Sequence, residues 1–160
     1  MQSIKNNKPT KKSGFLQGYF PINECKKYSG QGPIIYRSSW ERKFCLYCER
    51  TPEIILWSSE SLSIKYFNPN DNKYHTYFPD YVVRLSNGDT VIVEVKPKAQ
   101  LQKPSLPKKQ TPKSVAAYKW SYNTWVTNMC KKEAAVNFAK SRNWKYMIVT
   151  EEFFKNKPIS

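Results

Sequence analysis

Acidic residues are scarce in this chain. Twelve Asp and Glu stand against 27 Lys and Arg over 160 residues, a formal charge of +15 with a pI near 9.7. A globular protein so short of negative charge is drawn to polyanions at long range, and nucleic acid is the expected partner, with anionic membrane as the competitor. Long apolar runs are lacking too. None approaches the ~20 residues that a membrane span needs. Met1 to Lys12 is polar and basic without an apolar core, so neither membrane nor a signal peptide is expected. His75 is the single histidine, and of four cysteines only Cys45 and Cys48 are closely spaced, with Cys25 far upstream and Cys130 far downstream. A structural zinc site usually shows two close pairs, or one pair with spaced histidines. The thiols are therefore expected to be reduced and partly buried, in a reducing cytosol or a particle built there. His75, in the polar run 71–76, reads as an ordinary strand-end residue.

A chain of this length forms one domain and buries about 68–70% of its unfolded surface, enough for a core without staples. Aromatic residues, 15% of the chain, supply much of that core. Three regions differ in organisation. Residues 1–33 form a basic N-terminal part without a motif, its first dozen residues expected to be disordered unless bound. Residues 34–152 carry the pattern of a folded domain, and 153–160 form a C-terminal tail.

The densest chemistry lies in one predicted hairpin. Tyr77 to Leu85 is aromatic and β-branched, Asn87-Gly88 is a turn signal, and Thr90 to Lys96 alternates with period two. On the second strand Val91, Val93 and Val95 share one face, and Ile92, Glu94 and Lys96 the other. Glu94 and Lys96 then point the same way, roughly 7 Å apart. Asp80 depends on the register. A two-residue Asn87-Gly88 loop sets it opposite Val95, on the wrong face. A three-residue Asn87–Asp89 loop sets it opposite Lys96, and a bulge near Pro79 acts similarly. Convergence of the polar groups predicts the bulged or three-residue form. Asp80, Glu94 and Lys96 are then the minimum set for holding a divalent metal against a phosphodiester.

Upstream, Tyr36 to Glu49 reads as a helix with Trp40, Phe44, Tyr47 and Cys48 on one stripe. Glu41 lies on the rim of that stripe. Ser38-x-x-Glu41 is also a capping box, so Glu41 serves the helix start, the site, or both. Glu60, at the end of the predicted strand Ile54–Glu60, is a second-tier site residue or a plain turn residue. After Lys96 the stretch 97–113 holds four prolines and five lysines and no acid. Proline forbids a continuous helix, so this reads as a semi-rigid cationic arm, or as a solvated linker. As an arm it offers Lys98, Lys103, Lys108 and Lys109 to DNA phosphates. Ser114 to Ser141 is helical by pattern, as one helix or two broken near Asn123, with Tyr118, Tyr122, Trp125, Met129 and Phe138 as predicted core positions. Trp144 to Val149 reads as a buried strand reached by a crossover.

Pro79-Asp80 followed by Glu94-Val95-Lys96 resembles the signature of the PD-(D/E)xK nucleases. The blocks Tyr36–Phe44, Trp57–Glu60, Tyr77–Asp80, Val93–Lys98 and Arg142–Glu151 resemble, in order, the head completion nucleases of T-even-type tailed phages and, more distantly, the TnsA-type transposon endonucleases. The resemblance implies a restriction-endonuclease-like α/β core, a mixed β-sheet flanked by helices. It implies Mg²⁺, with Mn²⁺ as a substitute, held by Asp80, Glu94, the Val95 carbonyl and Glu41, with Lys96 completing the catalytic set. It further implies hydrolysis of double-stranded DNA during head completion, head and neck proteins as partners, and a place in the virion or the host cytoplasm. Two other readings stay open: a DNA-end-binding head or neck component without turnover, and a junction-resolving or transposon-end endonuclease of the same fold.

Overall fold

The structure is a computed structural model, described here for residues 17–155 and 157. The basic residues Lys5, Lys8, Lys11 and Lys12 and the rest of the first dozen lie outside the described residues. Strand β1, Gly18–Phe20, pairs antiparallel with β2, Ile34–Tyr36, and Phe20 is buried, so the folded chain reaches back well before residue 34. Helix α1, Ser39–Arg50, starts where Ser38 Oγ accepts from the Glu41 amide. Glu41 Oε2 answers by accepting from the amide of Arg37, one residue before the cap itself. Phe44 and Cys48 of the predicted stripe face inward and Trp40 stacks on Phe154 at 5.6 Å, while Tyr47 is only partly buried and Cys45, outside the stripe, is buried. All four cysteines are free thiols, Cys45 and Cys48 buried and the others partly so.

Strand β3, Ile54–Ser59, is followed by a hairpin of β4, Ile64–Asn68, and β5, Lys73–Tyr77. His75 lies within β5 and pairs with Asp71 at 2.7 Å. Strands β6, Tyr81–Leu85, and β7, Thr90–Val95, form the central hairpin. The predicted strand from Tyr77 to Leu85 is therefore two, broken at Phe78-Pro79-Asp80, where Pro79 has no N–H to give a ladder. Helix α2, Pro112–Ser141, runs unbroken for 30 residues behind a capping box of Thr111 and Ser114. It leads to β8, Lys145–Val149, parallel to β7. The main sheet has the order β3-β6-β7-β8, with only the last pair parallel, so the sheet is mixed and flanked by helices as expected.

β7 is buried along nearly its whole length because both faces are covered. Val83, Val91 and Val93 meet α1 through Phe44, Trp57 and Tyr81. Ile92 meets Ala135 and Ala139 of α2 with Ile64, Tyr66 and Tyr77 of the β4–β5 hairpin. The predicted core positions on α2 are thereby corrected. Its buried residues are Ala135 and Ala139, one turn apart, whose small side chains let the helix approach the sheet. Tyr118, Tyr122, Trp125 and Phe138 are only partly buried, and Met129 is 40% exposed.

Candidate active site

Four segments end at one edge of the sheet: the start of α1, the end of β3, the approach to β6 and the end of β7. The hairpin register decides which groups meet there. Tyr81 pairs with Val93, and the next position outward sets Asp80 opposite Glu94. The loop has three residues, as predicted, but they are Ser86, Asn87 and Gly88: Leu85 N–H donates to the Asp89 carbonyl. Gly88 takes φ of +92°, the left-handed position that closes such a loop at no steric cost. The loop thus sits one residue earlier than expected, and Asp80 faces Glu94 rather than Lys96.

Asp80 Oδ2 accepts from the Val95 amide at 2.8 Å, and Asp80 and Glu94 lie close enough for each to act on the other's protonation. Burial, then the Asp80 charge, pushes the Glu94 carboxyl far above the usual range, with Lys96 and Lys131 opposing. Asp80 is raised by burial against the Val95 amide. Glu41 is raised by burial and by Asp80, while the Arg37 amide and guanidinium act in the opposite sense. Glu60 joins them. Its amide donates to the Asp80 carbonyl, its Oε1 takes Arg37 at 2.6 Å, and its φ is +49°, a conformation uncommon for a residue with a Cβ. Glu60 is thus a turn residue whose backbone bonds to that of Asp80. Such local strain recurs at functional sites.

All the predicted site residues Glu41, Glu60, Asp80, Glu94, Val95 and Lys96 therefore lie at this edge. Among the described residues no three His, Cys, Asp or Glu side chains are gathered closely enough to enclose an ion by themselves. Mg²⁺ does not require that: it keeps several waters and is bound through one or two carboxylates plus substrate phosphate oxygens. Two buried carboxyls set opposite each other, with hard oxygens and a carbonyl-bearing main chain beside them, fit such a cation.

Glu94 and Lys96 open into a cavity of about 200 Å³ walled by α2, with Trp125, Asn128, Lys131 and Tyr146 among its lining. The tyrosines Tyr77 and Tyr146 are raised by burial and then by Glu94. Tyr77 donates its hydroxyl hydrogen to the Lys131 carbonyl. Lys131 and both tyrosines are missing from the sequence-based site. No spacing rule links them to Glu94: the pairing of β8 with β7 brings Tyr146 beside it, and the packing of α2 and the β4–β5 hairpin brings Lys131 and Tyr77. A larger apolar hollow of about 500 Å³, lined by Phe44, Tyr47, Val83, Val91 and Phe153, lies on the opposite face and holds none of the four carboxylates.

The arm lysines are placed unequally. Lys98 pairs with Glu152 at 2.9 Å, Lys103 lies over Tyr122 and Trp125, and Lys108 and Lys109 are exposed.

Glu94→Gln is expected to stabilise the metal-free protein at neutral pH by about 1–3 kcal/mol, because Gln is buried beside Asp80 without the proton that folded Glu94 must take up. That corresponds to roughly 2–4 °C in melting temperature for each kcal/mol. The sign follows from linkage. The folded-state pKa of Glu94 lies above its unfolded value, so wild type carries no penalty below the ordinary carboxylate range and the full penalty once pH has risen through the folded pKa. Thermal unfolding in chelator should show the gap between variant and wild type opening as pH rises. A gap constant with pH would contradict the charge assignment.

The model of the TnsA-like endonuclease N-terminal family matches residues 51–151. The chain is also 34% identical over 134 residues to the head completion nuclease of Enterobacteria phage T4, an alignment covering 84% of this chain and 89% of that protein.

Proposed function

The chain belongs to the TnsA-like endonuclease family, and on that premise we propose that it is a divalent-metal-dependent DNA nuclease acting in phage head completion. The observation that carries this reading is the opposition of Asp80, just before β6, and Glu94 on β7, both buried, with Lys96 two residues on from Glu94. The likeness to a head completion nuclease supports the biological setting; within it the proposed role is trimming of packaged DNA before tail joining, in contact with head and neck proteins.

Asp80, Glu94 and the Val95 carbonyl would hold Mg²⁺, and Glu41 a second ion or a bound water. The cation supplies Lewis-acid polarisation of the phosphoryl oxygen and a lowered pKa for bound water. The residues do the rest. Asp80 and Glu94 fix the place where the phosphate must sit. Lys96, raised on the same face as Glu94, orients the attacking water, helps remove its proton and offsets charge on the pentavalent phosphorane, the largest electrostatic demand of the reaction. Lys131 adds a second cation on the α2 wall. Lys98, Lys103, Lys108 and Lys109 hold the flanking backbone.

Linear duplex DNA incubated with the protein should be cut when Mg²⁺ is present and left intact in chelator. Binding of DNA ends without cutting in any divalent cation would overturn the nuclease reading in favour of a DNA-end-binding head component. Faster cutting of four-way junctions than of linear duplex would move the substrate to the junction-resolving class. Lys96→Ala should lower the single-turnover cleavage rate about 10²–10³-fold while leaving Mg²⁺ affinity within about twofold of wild type. A large loss of Mg²⁺ affinity would make Lys96 a support of the metal site instead.

A further inference from the structure

The catalytic cavity continues beyond the carboxylates. Gln100, Trp125 and Asn128 line it and also line a second hollow of about 450 Å³ between the arm and the N-terminal half of α2. Two indoles, Trp120 and Trp125, stand in this second hollow among polar and small residues. Trp120, on its wall, is 72% exposed. Tyr122 and Trp125 lie 5.8 Å apart, and Lys103 Nζ stands 5.8 Å from each ring centroid. The buried indole N–H of Trp125 has no acceptor among the described residues. Core packing does not account for these side chains, because α2 enters the core through Ala135 and Ala139, at its other end. Charge here has one sign: from Pro97 to Lys132 the chain has eight lysines and no acidic residue.

We propose that this groove binds single-stranded DNA, so that unpaired nucleotides extending from a DNA end stack on Trp120 and its neighbours and lead the strand to the carboxylates. The proposal rests on the nuclease reading and names the form of DNA end the site takes. Within a duplex the faces of the bases are covered by their neighbours, and only an unstacked base can offer its face to an aromatic side chain. Cationic grooves with aromatic platforms are how single strands are held without sequence preference. Polar Gln100, Asn128 and Lys103 interrupt the aromatic surface, which suits a strand of alternating base and phosphate. Lys131, on the wall facing Glu94, follows Trp120 by eleven residues of one helix, roughly 16 Å along its axis, a span for a few nucleotides.

The test measures equilibrium binding of fluorescent oligo(dT), an abasic strand of equal length and a blunt duplex to the full-length protein in chelator. Wild type, Trp120→Ala and Trp120→Phe are compared. Trp120→Ala should weaken oligo(dT) binding roughly 10-fold, Trp120→Phe should keep most of the affinity, and neither the abasic strand nor the duplex should distinguish the variants by more than about twofold. In Mg²⁺, duplex with a single-stranded extension should be cut faster by wild type than blunt duplex, and Trp120→Ala should lose that preference. Unchanged oligo(dT) binding by Trp120→Ala would overturn the proposal. So would an equal loss on the abasic strand, or a loss confined to binding of a head or neck protein. Failure of wild type to cut any DNA would defeat the nuclease reading, while the binding measurements in chelator would still decide this one.

Discussion

Alanine in place of Asp80 or of Glu94 is expected to lower the rate of DNA cleavage by at least ~10³-fold, about 4 kcal/mol of transition-state stabilisation, while binding of duplex DNA in chelator stays near the wild-type level. The two carboxylates face each other where β6 begins and β7 ends, and each acts on the other's protonation. Removing one takes away one of the two carboxylates proposed to hold the cation and fix the phosphate against it. The fold should tolerate both changes. An acid that is buried against another acid gives little stability to lose, and its removal relieves repulsion. Glu94→Gln serves as the conservative control, since its amide can donate to Asp80. Activity of Asp80→Ala equal to wild type, measured under single turnover at saturating DNA, would remove Asp80 from the site. The same loss of binding and cleavage together would place these residues in DNA binding rather than in chemistry.

Changing Lys98, Lys103, Lys108 and Lys109 together to glutamine is expected to flatten the salt dependence of duplex binding by about 3 units of the log–log slope. Each phosphate contact contributes about 0.9 to that slope. The expectation falls below four full contacts because Lys98 is already paired with Glu152 and must leave it to reach a phosphate. Lys108 and Lys109 are exposed with the fewest ties, and Lys103 already sits above two rings at the mouth of the groove. Phosphate contacts carry no base information, so affinity should fall equally on unrelated sequences, and saturating DNA should restore most of the cleavage rate. An unchanged slope, read from binding titrations across a range of salt, would make 97–113 a plain linker. The duplex would then lie elsewhere, along Lys5, Lys8, Lys11 and Lys12 or along the helix around Lys131 and Lys132.

Much of the site could be read from the sequence because its residues lie close together along short segments. Glu94 and Lys96 needed only the two-residue period of a strand, and Ser38 with Glu41 only the spacing of a capping box. Asp80 was harder. Asn87-Gly88 marks the turn but is compatible with more than one loop. What selects Ser86–Gly88 is the left-handed Gly88 together with Asn87 Oδ1 accepting from the Asp89 amide, a detail of one turn that shifts every cross-strand pair. The break at Pro79 was legible in principle from its missing N–H. It was masked by the aromatic and β-branched run on both sides.

α2 shows a different limit. Its aromatic residues look like a core stripe, yet only the end carrying Ala135 and Ala139 meets the sheet. Periodicity along a helix tells which residues share a face, and it cannot tell how far the helix extends past its support. The pairing of β1 with β2 escaped because three-residue strands are shorter than any window in which alternation can be recognised. Lys131 and Tyr146 joined the site through tertiary packing alone.

Calorimetric titration of Mn²⁺ or Mg²⁺ into the wild-type protein and into Glu94→Ala, without DNA, tests most directly whether Asp80 and Glu94 together form a cation site. The account predicts saturable binding by wild type, competed by chelator, and its loss in the variant while thermal unfolding shows an intact fold. Equal binding by both proteins, or binding by neither alongside full cleavage activity, would contradict it.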